Sequence, residues 1–150
     1  MDEHTSQKDD RPPCACTAVK KLSRVLGRAY DAALSSAGLN NTQFAVLRAI
    51  SCHAGDPLAR IAHSLETDRT SLYRALNPMI RDGWITIMDC EGRRCNSAKL
   101  TLKGAKVLAT AERSWERIQG QLIRDFGRTA YGSLVHEFSR LAAIAGKYEA

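Results

Sequence analysis

No apolar run in this 150-residue chain approaches the ~20 residues a helix needs to cross a bilayer, so a helical membrane protein is not expected. The first thirteen residues, from Met1 to Pro13, are polar and acidic. They lack the basic and apolar parts of a secretory signal, which points to a cytoplasmic chain. The five cysteines (Cys14, Cys16, Cys52, Cys90 and Cys95) are odd in number, which argues against a secreted disulfide framework and makes reduced thiols the default. There is no internal repeat and no low-complexity tract. A glycine-rich phosphate loop, a paired-carboxylate site and a Cys-x-x-C on a βαβ unit are all missing, so nothing signals an enzyme or a bound cofactor. Cys14-x-Cys16 is too small for zinc, and adding Cys52 and His53 gives no standard ligand spacing.

What is present is ordinary globular material, with 44% hydrophobic and 25% charged residues in a length that suits one domain with extended helical arms. The net charge is +6, and it is unevenly spread. Residues 1–13 carry Asp2, Glu3, Asp9 and Asp10 against Lys8 and Arg11. Residues 69–106 carry eight Lys or Arg against only Asp82, Asp89 and Glu91. A basic segment inside a folded domain suits a polyanionic partner.

Residues 1–16 read as a disordered tail closed by Pro12-Pro13. Thr17 then caps a predicted helix over about 18–37, with Val19, Leu22, Val25, Leu26, Tyr30 and Leu34 at spacings of three and four. Gly38 stops it, and Thr42 is placed to cap a second helix carrying Phe44, Leu47 and Ile50. A short helix over 58–65 follows, then a Glu66-Thr67 linker. A longer helix, capped by Asp68 or Thr67, runs to about 82 with Leu72, Leu76, Met79 and Ile80 facing inward. Pro78 lies inside this helix and predicts a kink or an opened turn. Helix, tight turn and helix make the helix-turn-helix pattern.

After Gly83 the period changes to that of strands. Residues 84–88 and 97–101 pair across a polar tip, Asp89 to Asn96, that contains Gly92, Arg93 and Arg94. A long helix to about Phe126 and a last helix over about 129–147 complete the chain, broken by Gly127.

This order resembles the MarR family of winged helix-turn-helix regulators over about residues 17–146. The local matches are Thr67-Asp68-Arg69-Thr70-Ser71-Leu72-Tyr73-Arg74 at the opening of the recognition helix, Arg81-Asp82-Gly83-Trp84-Ile85 at its end, and the thirteen-residue wing from Asp89 to Thr101. The resemblance implies a mainly α fold with a small β-hairpin wing. Residues 38–102 would form the DNA-binding domain, and 17–37 with 103–150 the dimerisation helices. It implies a homodimer on a pseudo-palindromic operator, acting as a repressor without enzymatic activity. An architectural protein that binds DNA without sequence preference is the alternative.

The chemistry points the same way. Recognition helices place their N-terminal residues near base edges, and here that end offers Arg69, Thr70, Ser71, Tyr73 and Arg74. Arg93 and Arg94 at the wing tip suit a narrow, negative minor groove. By the resemblance, Arg94 is the minor-groove arginine. Gly92 stands where the family carries the aspartate that holds it, which leaves a looser wing or an orienting role for Asp89 or Glu91.

Family members also imply an effector, either a small aromatic or phenolic acid or an oxidant of thiols. Candidates for the ligand are Arg24, Arg28, Arg48, His53, His63 and Trp115, since an arginine can pair with a carboxylate in bidentate fashion. Candidates for oxidation are Cys14 and Cys16, because a thiol at a helix N-terminus is the more reactive. Peroxide-sensing members add tyrosines near such a cysteine. This chain has Tyr30, but Asn41 stands where the second tyrosine is usual. Cys90 and Cys95 flank the wing tip, either as separate thiols or as a cross-hairpin disulfide.

Overall fold

A computed structural model describes residues 12–89 and 96–148 of the chain. Among them, six α-helices and one hairpin follow in order: α1 Ala15–Leu34, α2 Asn41–Cys52, α3 Leu58–Ser64, α4 Arg69–Arg81, β1 Ile85–Asp89, β2 Asn96–Leu100, α5 Leu102–Phe126 and α6 Arg128–Ala145. Short 3-10 turns at Ser35–Ala37 and Gly146–Tyr148 extend α1 and α6. The expected mainly α architecture with a β-hairpin is the one observed.

The buried apolar residues converge on one lobe. Phe44, Val46, Leu47 and Ile50 of α2 meet Leu58, Ile61 and Ala62 of α3 and Leu72, Leu76 and Met79 of α4. Leu34 and Leu39 close this core from the end of α1, and Trp84, Ile85 and Ala98 from the hairpin. Leu108 and Ala111 seal it from the first half of α5. Helix α6 buries no residue at all. Strands β1 and β2 are antiparallel, from Ile85 opposite Leu100 to Asp89 opposite Asn96, and Pro57 adds a single bridge to Ser97.

Several boundaries differ from those the sequence predicts. Helix α1 begins at Ala15, so Cys16 lies in its first turn rather than in a tail ending at residue 16. The residue before a proline resists helix geometry, and Pro12-Pro13 are the last such obstacle, so the helix starts as soon as they end. Asn40 caps α2 in place of Thr42, in a reciprocal pair: its side chain accepts from the Gln43 amide at 2.8 Å and Gln43 Oε1 accepts from the Asn40 amide at 3.0 Å. Asparagine is the stronger cap, and the spacing to Gln43 completes the box. Pro78 does not interrupt α4. Its ring removes one amide near the helix end, and the carbonyl left over belongs to exposed Arg74, where water can satisfy it.

Candidate nucleic-acid interface

The α3–α4 turn closes by two backbone bonds that overlap. The Thr67 amide donates to the Ala62 carbonyl and the Glu66 amide to that of His63, both at 3.0 Å. This arrangement needs a left-handed residue, and Glu66 supplies it at φ 49°, where glycine is usual. The chain then enters α4 through Asp68. Its carboxylate accepts from the Ser71 amide at 2.9 Å and from the Ser71 hydroxyl at 2.7 Å. The Ser71 hydroxyl, then its amide, hold the Asp68 carboxyl below the usual range. A depressed carboxyl stabilises the fold fully above its unfolded pKa and ceases to do so as pH falls through its folded value, so the cap is complete at neutral pH. Asp68→Ala is expected to lower the melting temperature by about 2–4 °C, and Asp68→Asn to keep most of it, as circular dichroism would show.

With Leu72, Leu76 and Met79 turned into the core, α4 presents Arg69, Thr70, Ser71, Tyr73 and Arg74 outward. Ser71 has committed its proton to Asp68, so only its oxygen is free to accept. Among the described residues, neither Arg69 nor Arg74 pairs with a carboxylate, whereas Arg81 lies 3.5 Å from Asp82. Exposed Asn77 extends the same face one turn beyond Tyr73 and Arg74. The polar residues at 70, 73, 74 and 77 already carried that signal in their helical spacing. A crevice of about 220 Å³ joins Arg69 and Tyr73 to Pro57 and to Asn96, the first residue of β2. Helix α4 and the hairpin thus share one surface. Arg93, Arg94, Cys90 and Cys95 lie outside the described residues, and with them the minor-groove and disulfide expectations for the wing tip.

The hairpin is aimed by its base. The Thr101 hydroxyl donates to the Gly83 carbonyl at 2.7 Å and accepts from the Gly104 amide at 3.0 Å, while the Thr101 amide donates to the Trp84 carbonyl at 2.9 Å. Lys103 Nζ adds a bond to the Asp82 carbonyl at 2.8 Å. The end of α4 and the start of α5 are thereby fastened together under the wing.

Of the six ligand candidates, the fold brings three together. Arg48 lays its guanidinium 4.7 Å from the Trp115 ring and 5.6 Å from that of Phe44. The two rings stand 6.0 Å apart. A cavity of about 370 Å³ there is lined by Asn41, Phe44, Arg48, Cys52, His53 and Trp115. His53 faces Asp56 at 3.4 Å. Arg24, Arg28 and His63 are exposed and do not line it. Phe44 and Asn41 were missed as lining residues because periodicity assigns the first to the core and nothing local marks the second.

Cys14 and Cys16 are both exposed. The Thr17 amide, then its hydroxyl, pull the Cys14 thiol below its ordinary value. Tyr30 lies sixteen residues farther along the same helix, about 24 Å away, so the two cannot bond within one chain. The Tyr30 hydroxyl instead donates to Gln119.

No protein-family model matches the chain, and no curated protein matches it. Solved structures do. The Mycobacterium tuberculosis transcriptional regulator MosR, crystallised in complex with DNA, is 32% identical, with a TM-score of 0.82 over 90% of this chain and 98% of its own. A mutant of Escherichia coli MarR complexed with operator DNA is 19% identical, at a TM-score of 0.77 over 84% of this chain and 91% of its own. The Staphylococcus aureus MepR–DNA complex is 14% identical, at 0.77 over 88% and 96%. At such identities the last two speak for the fold alone.

Proposed function

Because this chain belongs to the MarR family of winged-helix transcription regulators, we propose that it acts as a homodimeric, sequence-specific repressor on pseudo-palindromic operator DNA. The observation that carries this reading is the capped N-terminus of α4, which offers Arg69, Thr70, Tyr73 and Arg74 on a surface continuous with the hairpin. Arginines there suit guanine edges in the major groove, and Arg94 at the wing tip suits the minor groove. MosR, MepR and MarR are each described as bound to DNA. Two copies joined through α1, α5 and α6 would present two recognition helices and read two half-sites.

Release from DNA has two supports. The Arg48 guanidinium lying over two neighbouring aromatic rings suits a small aromatic acid, with a bidentate partner for its carboxylate. The lowered Cys14 thiol, with Cys16 in the same turn, is the chemistry an oxidant attacks first.

The test is a labelled duplex from upstream of the gene itself, titrated with protein over excess random DNA. Binding is expected to survive the competitor and to weaken about tenfold or more in Arg74→Ala and in Arg94→Ala. Binding abolished by random DNA would instead establish an architectural protein without sequence preference.

A further inference from the structure

Two neighbouring residues near the end of α1 reach out of that helix in different directions. The Tyr30 hydroxyl donates to Oε1 of Gln119 on α5, and Gln119 Nε2 donates to the Tyr131 hydroxyl on α6 at 2.7 Å. Asp31 Oδ1 accepts from the amide of Asn41, the first residue of α2, at 2.6 Å. Helix α2 belongs to the core of the DNA-binding lobe, whereas α6 buries nothing there. Residues 30 and 31 therefore tie the long helices to the lobe from one point.

The Asp31 bond differs in kind from the others at the start of α2. The Asn40–Gln43 box is local, spans three residues, and holds the helix start from whatever direction α1 arrives. The Asp31–Asn41 bond spans ten residues and fixes one helix against the other. A carboxylate on a helix N-terminal amide is charge-assisted and lies at the favourable end of the helix dipole. The covalent link between the two helices turns at Gly38, with φ 74°, and is closed by short bonds from the Gly38 amide to the Ser35 carbonyl at 3.0 Å and from the Leu39 amide to that of Leu34 at 3.4 Å; the Asp31 bond is the side-chain tie that reaches across this turn to α2 itself.

We infer that Asp31, backed by the Tyr30–Gln119–Tyr131 chain, sets the angle between each DNA-binding lobe and the helices that join two copies. That angle decides how far apart the two recognition helices sit on the duplex. Asp31 is thus a positioning residue for half-site spacing and touches no DNA itself. The inference rests on the two-copy, two-half-site reading above.

Duplexes selected by the wild-type chain from a random pool supply the probe. The separation of their half-sites is then changed by one or two base pairs in either direction. The wild-type chain is expected to lose about tenfold in affinity away from its preferred spacing. Asp31→Ala is expected to bind the whole set within about threefold, with copy number unchanged and the melting temperature lowered by only about 2–4 °C, so that the chain stays folded at the temperature of the assay. Asp31→Asn keeps an oxygen acceptor and restores most of the selectivity. Tyr30→Phe keeps the ring and broadens the profile in part. An Asp31→Ala profile as sharp as the wild type overturns this inference alone. A wild-type chain with no preferred spacing overturns it together with the two-half-site reading.

Discussion

Gly104→Ala is expected to destabilise the protein by about 3 kcal/mol or more, lowering the melting temperature by about 6–12 °C. Helix propensity alone argues the opposite, since alanine is about 1 kcal/mol better than glycine inside a helix. The sign is decided by space. A Cβ at residue 104 would lie 1.9 Å from the Trp84 carbonyl oxygen and 2.8 Å from its carbon. That carbonyl is backbone, it already accepts from the Thr101 amide, and it cannot rotate away. Either α5 lifts off β1 or the joint under the wing opens, and both separate the hairpin from α4. Gly120→Ala, in the same helix, is the control. Its nearest neighbour is the flexible end of Arg124 at 3.4 Å, so propensity prevails there and the variant melts slightly higher. Thermal melts followed by circular dichroism compare the two, and a Gly104→Ala chain as stable as the wild type would refute the close packing described.

Phe138→Asp is expected to yield a folded single chain that binds the operator about a hundredfold more weakly, or worse. Helix α6 contributes nothing to the core, yet Leu134, Phe138, Leu141 and Ala145 recur at spacings of four, three and four along one side of it, with Phe138 37% and Leu141 44% exposed. Phe138 also lines a cavity of about 300 Å³ with Val19, Leu22, Leu26 and Tyr30 of α1. An apolar helix face left open within one chain is where the proposed second copy would pack, and a buried carboxylate there is costly. The core lies elsewhere, so helix content is expected to persist while sedimentation reports the mass of one chain. Loss of the second half-site then removes the gain from binding two sites at once. A Phe138→Asp chain that still sediments as two copies places the interface elsewhere. A single chain with wild-type affinity contradicts the two-half-site reading.

The α3–α4 pair shows how much of the site could be read in advance. Asp68, the polar series from Arg69 to Arg74 and the inward Leu72, Leu76 and Met79 all lie within a few residues of one another. Capping and helical periodicity are local, so they are written in consecutive sequence. Thr17 and Thr42 mark the start of α1 and the cap of α2 two or three residues too late, because stronger local signals, the end of Pro12-Pro13 and the Asn40–Gln43 box, compete with them. The cavity beside Arg48 was legible only in part. Arg48, His53 and Trp115 could be named as chemistry, but their company could not, since Arg48 and Trp115 belong to different helices that meet only on folding.

The sequence by itself determined the succession of helices, the basic polar face of α4 and the position of the hairpin, because each follows from residue periods and end signals acting over one or two turns. The tertiary structure alone decided that Gly104 must lie against Trp84, that Arg48 lies over both Phe44 and Trp115, and that Tyr30 and Asp31 reach from α1 to α5 and α2. Those contacts join residues from four to eighty-nine positions apart. Which partners meet across most of those distances depends on how whole helices pack, and no local pattern of side chains encodes it.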